Sequence, residues 1–106
     1  MIKVIIESPY AGDVKRNITY AKHCMNDSLR RGEAPIASHL LYTQDGILDD
    51  DIPEERMLGI NAGLAWKSVA DKQVFYIDYG YSSGMKYAKE YAVKNNIEIE
   101  ERQILD

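Results

Sequence analysis

Strand-like apolar segments alternate with helix-like amphipathic ones along this chain, and that order predicts a three-layer α/β domain with about four parallel strands. Two runs carry the prediction. Ile2–Glu7 is short, β-branched and almost continuously apolar, as a strand buried on both faces is. Val74-Phe75-Tyr76-Ile77-Asp78 repeats that character seventy residues later. The third observation is the helical spacing of apolar residues that follows each run. With 106 residues, a single domain over the whole chain is expected. A domain of this size buries roughly two-thirds of the surface its unfolded chain exposes, enough for one core without disulfides.

The elements follow in order. Pro9 and Gly12 interrupt the chain after the first strand. Asp13 is placed to cap a helix in which Val14, Ile18, Ala21, Cys24 and Met25 recur at helical spacing, and Gly32 stands where a terminating glycine belongs. Ala34–Tyr42 reads as a second strand with a proline near its start. Thr43–Asp51 is polar and turn-like. A second helix is expected from Asp51, with Pro53 in its first turn and Met57, Ile60, Asn61, Leu64, Ala65 and Ser68 turned inward. Gly59 and Gly63, four apart, permit close packing on one side. A third helix runs from Ser82 or Ser83 to Asn95, with Met85, Ala88, Ala92 and Val93 facing the sheet. Ile97–Gln103 alternates apolar and charged residues, as an edge strand does.

Composition narrows the classes of partner. The net charge is −4, from 13 basic and 17 acidic residues, and the only adjacent basic pairs are Lys15-Arg16 and Arg30-Arg31 on one helix. A solvated helix face accounts for them, so duplex nucleic acid is not an expected partner. No apolar run approaches the roughly 18 residues of a membrane span, and no signal-peptide pattern opens the sequence. The lone cysteine, Cys24, falls on an apolar helix side, which suits a small hydrophobe in a reducing, cytoplasmic setting. No zinc spacing, dinucleotide fingerprint or Walker A loop is present, and no cofactor or metal is expected. Asp49-Asp50-Asp51 lacks the spaced oxygen pattern of an EF-hand and reads as capping and solvated charge.

In parallel α/β sheets ligands bind beyond the carboxyl ends of the strands, at the switch in strand order. Three loops qualify: Ser8–Asp13, His39–Asp51 and Asp78–Met85. The last is the most informative. Gly80 and Gly84 allow close backbone approach, Ser82 and Ser83 offer hydroxyls, and a helix start offers N–H groups to an anion. The candidate ligand-binding residues are Ser8, Pro9, Tyr10, His39, Gly80, Ser82, Ser83, Gly84 and Met85, with Asp78 as the candidate catalytic residue. Glu7, at the end of the first strand, is a substitute acid over the same sheet edge.

These motifs together resemble the nucleoside 2-deoxyribosyltransferase-like superfamily, in a short phage and bacterial subgroup of unassigned function. The resemblance rests on Ser8-Pro9-Tyr10-Ala11-Gly12, Asn17 with Tyr20-Ala21, Gly32-Glu33-Ala34-Pro35, Ser38-His39-Leu40-Leu41-Tyr42, Leu48-Asp49-Asp50, Glu55-Arg56, Gly59-Ile60, Gly63-Leu64 and Asp78–Met85. It implies a compact Rossmann-like or flavodoxin-like domain, a nucleoside or nucleotide-like ligand, a homo-oligomer, and a bacterial or phage-infected cytoplasm. It also implies cleavage or exchange of an N-glycosidic bond by a glutamate at the start of the last helix, with a first-loop tyrosine orienting it. This sequence departs there: counting back four from Ala92 gives Ala88, and aligning on Gly84-Met85 gives Lys86. Glu90, two residues from Ala88, lies about 200° around the helix and points elsewhere. The expected function is therefore ligand binding with the catalytic carboxylate absent from that helix. An N-glycosidic hydrolase or deoxyribosyltransferase is the alternative, and a phage-type accessory interaction protein the second alternative.

Overall fold

A computed structural model describes residues 1–105. Four parallel strands form one sheet in the order β2-β1-β3-β4: β1 is Ile2–Glu7, β2 Glu33–Ile36, β3 Lys72–Tyr76 and β4 Glu98–Arg102. Helix α1 (Val14–Arg30) covers one face. Its Tyr20 and Cys24 pack on Val4 and Ile6 of β1 and on Val74 and Tyr76 of β3. Helices α2 (Pro53–Lys67) and α3 (Ser83–Lys94) lie over the other face, where Met85 and Ala88 pack on Phe75. The predicted three-layer architecture is present, and both central strands show the double-sided burial that their unbroken apolar runs require.

The caps explain two of the helix starts. The Asp13 carboxylate accepts from the Arg16 N–H at 3.1 Å, and the Ser82 hydroxyl accepts from the Met85 N–H at 3.2 Å. Gly32, with φ +81°, takes the left-handed position just beyond α1.

Four expectations are corrected. The second strand stops at Ile36 instead of running to Tyr42, and Ser38–Leu40 forms a 3₁₀ turn. As an edge strand β2 tolerates Pro35, and four residues suffice to pair with β1. Helix α2 is capped by Ile52, not by Asp51, whose N–H instead bonds Asp49 Oδ1 within the preceding turn. The inward side of α2 is also different: Met57 is 52% exposed and Asn61, Ala65 and Ser68 are exposed. Gly59, Gly63 and Lys67, spaced by four, face the rest of the chain instead. A Cβ on Gly59 would lie 3.4 Å from Leu48 Cδ1, and one on Gly63 3.8 Å from Ser38 Cβ. The helix turns its two glycines and Lys67 inward and leaves Met57, Leu58 and Trp66 largely exposed. Finally, Val93 is exposed because Ala92, one position and about 100° away, takes the buried site.

Candidate functional site

The rotation of α2 leaves a cavity of about 350 Å³ between α2, α3 and the sheet. Its floor is the carboxyl end of β1, Ile5 and Glu7. One wall is α2, through Ile60, Gly63, Leu64 and Lys67, and the other is the start of α3, through Ser83, Gly84 and Ala88. His39 and Tyr42 close one end. This is the switch point of the sheet, where the chain moves from β1 to β2 on one side and crosses to β3 on the other.

The polar groups are few. Glu7 Oε1 is ion-paired with Lys67 Nζ at 3.2 Å and accepts a hydrogen bond from Gln73 Nε2 at 3.2 Å. The Lys67 and Glu7 side chains retain only 7% and 12% of their exposure. Such a pair is costly to bury, so its charges are matched at close range. Gln73 lies fully buried in β3, and its Oε1 has no partner among the described residues, a property shared with Ser8 Oγ. Arg56 lines the outer part of the cavity. Two cations against one carboxylate leave the site open to an anionic group at its mouth.

His39 stacks on Tyr10, ring centroids 5.1 Å apart and 24° from parallel. Burial pushes the imidazole pKa down, against the raising influence of Glu7, so the ring is neutral at pH 7. The Tyr10 loop is pinned from behind, since buried Asn17 donates to the Tyr10 carbonyl at 2.9 Å and to the Ala11 carbonyl at 3.2 Å. Trp66 Nε1 donates to the Tyr42 hydroxyl at 2.8 Å, tying the end of α2 to the chain after the 3₁₀ turn.

The sequence-predicted residues divide in two. His39, Ser83 and Gly84 line the cavity. Ser8 and Pro9 are buried where β1 ends, and Tyr10 supports His39 while facing an open cleft beside Asp49, Asp50 and Asp51. Among the described residues no cluster of three or more histidines, cysteines or acids is placed to hold a metal ion. Gly80 forms the turn after β3 with φ +77°, Ser82 caps α3, and Met85 lies in the core beneath it. Asp78 points to the α1 face. Its carboxylate accepts from the Tyr20 hydroxyl and from the backbone N–H groups of Ile104 and Leu105, at 3.1 and 2.8 Å. Burial raises its pKa, but these donors outweigh it and hold the group below the usual carboxylate range.

Ala88 and Lys86 lie on different sides of α3. Ala88 is buried and lines the cavity, whereas Lys86 and Glu90 face the opposite side of α3. Lys67 stands in none of the sequence motifs, and Arg56 stands in one, Glu55-Arg56, without an expected role in the site. The usable signal for Lys67 was its place in the Gly59, Gly63, Lys67 stripe, which puts a cation on the glycine face.

Sheet order and the placement of helices on both faces define a doubly wound α/β domain. The chain is similar in structure to a 2-deoxyribosyltransferase of the psychrotolerant bacterium Bacillus psychrosaccharolyticus, described as a biocatalyst for nucleoside synthesis. The TM-score is 0.66 at 14% identity, over 98% of this chain and 77% of that one. By sequence, residues 2–102 match the family described as Domain of unknown function (DUF7768), and the chain belongs to that family. No curated protein matches it. None of the described helices is long and apolar enough to cross a membrane.

Proposed function

We propose that the cavity between α2 and α3 binds a nucleoside or nucleotide-like small molecule. The observation that carries this reading is the cavity itself. It has the volume of a small-molecule site, mainly apolar walls and a few convergent polar groups at the switch point of the sheet. Apolar walls suit a base, Glu7 and His39 suit sugar hydroxyls, and Arg56 at the mouth suits a phosphate. The shared fold with a nucleoside-processing enzyme supports the same ligand class.

Calorimetric titration with a panel of nucleosides and 5′-nucleotides tests this, and failure of every member to bind overturns it. Gly84→Val is the matching variant. Gly84 has no unusual φ, and a Cβ there meets only Ser82 Oγ, at 3.9 Å, so the fold accepts the side chain. The valine occupies the cavity wall, and the affinity is expected to fall at least tenfold, or about 1.4 kcal/mol, with the thermal midpoint nearly unchanged. Equal affinity in the variant would move the ligand elsewhere.

The homo-oligomer implied by the resemblance is part of the same reading. Leu58, Met57 and Trp66 of α2 are 60%, 52% and 48% exposed. Large apolar groups left exposed along one helix are candidates for an association surface. Leu58→Lys is expected to shift the chain toward monomer in sedimentation velocity. A wild type already monomeric at high concentration refutes the assembly.

A further inference from the structure

We infer that the groove on the side of α3 away from the cavity is a docking surface for a second copy of this chain, which inserts its turn Gln44–Ile47. The inference stands apart from the binding reading, since none of these residues lines the cavity between α2 and α3. The groove holds about 660 Å³ and is lined by Tyr81, Lys86, Lys89, Glu90, Val93 and Lys94. Val93, 64% exposed, and the Tyr81 ring supply its apolar surface. Three lysines against one glutamate make its border cationic. The Lys89 ammonium lies 4.9 Å from the Tyr81 ring centroid and 3.7 Å from Glu101 Oε2, so its charge is partly met. Lys86 and Lys94 are exposed and pair with no acid among the described residues.

The chain itself carries the complement of that groove. Residues 44–55 hold six acids, Asp45, Asp49, Asp50, Asp51, Glu54 and Glu55, and no base. At their start the Ile47 N–H donates to the Gln44 carbonyl at 3.0 Å and Gly46 takes φ +85°, so a tight turn presents Ile47 to solvent at 55% exposure. An isoleucine flanked by carboxylates matches a valine and a tyrosine flanked by lysines. Docking withdraws the apolar groups from water while Asp45 and Asp49 meet Lys86 and Lys94. The turn follows β2, and the groove stands beside β4, where Tyr81 and Lys89 both meet Glu101. β2 and β4 are opposite edges of the sheet, so the contact joins copies head to tail and leaves one turn and one groove unfilled on each pair. Two copies of net charge −4 repel at long range, but a screening length of about 8 Å at physiological salt mutes that repulsion and spares the contacts made at the groove. One turn in one groove buries less than the roughly 1,000 Å² of a stable assembly, so the association is weak and needs a high concentration.

Two variants separate the halves of the contact. Lys86→Glu with Lys94→Glu spoils the groove and keeps the turn, whereas Ile47→Asp spoils the turn and keeps the groove. All three side chains are exposed, so the fold accepts the changes. Both variants are made in the Leu58→Lys background, which keeps the α2 surface out of the measurement. Sedimentation velocity of the Leu58→Lys chain is expected to show concentration-dependent association that weakens as the salt rises from about 0.05 M to about 0.5 M. Each variant alone is expected to associate roughly tenfold more weakly or less. An equimolar mixture of the two is expected to restore a dimer and nothing larger, because it offers one intact turn for one intact groove. A Leu58→Lys chain that stays monomeric at every concentration and salt overturns the docking, as does a mixture no more associated than its parts. Association that neither variant weakens lies on another surface and overturns it as well.

Discussion

Arg102→Leu is expected to cost about 3–5 kcal/mol of stability, measured by urea unfolding, because it leaves Glu33 buried without its main partner. Glu33 opens one edge strand and Arg102 closes the other, so their pair ties the two edges of the sheet together. Arg102 Nη1 and Nη2 donate to Glu33 Oε1 and Oε2 at 2.9 and 2.7 Å, and Ser28 Oγ donates to Oε1 at 2.7 Å. Side-chain exposures of 4% and 8% deny both partners effective hydration. Arg102 also bonds Glu100 and the Tyr76 hydroxyl, and that hydroxyl donates onward to Asp27 of α1 at 2.8 Å. A domain of this size has a total stability of about 5–15 kcal/mol, so the loss is a large fraction of it. Replacing both partners, as in Glu33→Leu with Arg102→Leu, should recover much of it, since an apolar pair leaves no stranded charge.

The same pair sets the acid limit of the fold. Hydrogen bonds from Arg102 lower the Glu33 pKa from an ordinary 4.5 to about 2, overcoming the opposing effect of burial. A depressed folded pKa means that the unfolded chain binds the proton more readily. The contribution, about 3 kcal/mol, is therefore complete above pH 4.5 and is lost as the pH falls toward 2. Unfolding midpoints recorded across that window should show the loss in the wild type and far less of it in the Arg102→Leu variant.

The legibility of the sequence follows from how local each determinant is. β1, β3 and the start of α1 were readable because their signals are contiguous: unbroken β-branched runs, and an aspartate three residues before the N–H it caps. The Gly80–Met85 loop was readable as a turn into a helix for the same reason. Helix α2 was misread in rotation because its apolar residues surround the axis, so periodicity does not choose a face. What decides it is the cavity and the Glu7–Lys67 pair, a contact across sixty residues that no window contains. Asp78 shows a related limit of local pattern. A carboxylate at the carboxyl end of a central strand is well placed for a site, yet each turn of the pleat sends the side chain to one face or the other. Here Asp78 follows Val74 and Tyr76 to the α1 face, while Glu7 lies with Gln73 on the cavity face.

That difference of face is what Asp78→Ala reads out. The substitution is expected to destabilise the fold by about 2–3 kcal/mol and to leave nucleoside affinity within a few fold. The Tyr20 ring is almost wholly buried and its hydroxyl has the Asp78 carboxylate as its acceptor; it also accepts from the Asp78 N–H at 3.0 Å. Burial and this bond together push the phenol well above its usual range, so it stays protonated and keeps donating. Removing the carboxylate strands a donor in the core, whereas the Ile104 and Leu105 N–H groups it releases lie nearer to water. Tyr20→Phe removes the other partner, and the double variant should cost less than the sum of the two single losses, the signature of direct coupling. Hydrogen exchange should meanwhile report faster opening at Ile104 and Leu105 in Asp78→Ala, because that carboxylate holds the segment after β4 against the sheet. The opposite pattern, lost affinity with unchanged stability, would bring Asp78 back to the ligand and move the site to the α1 face.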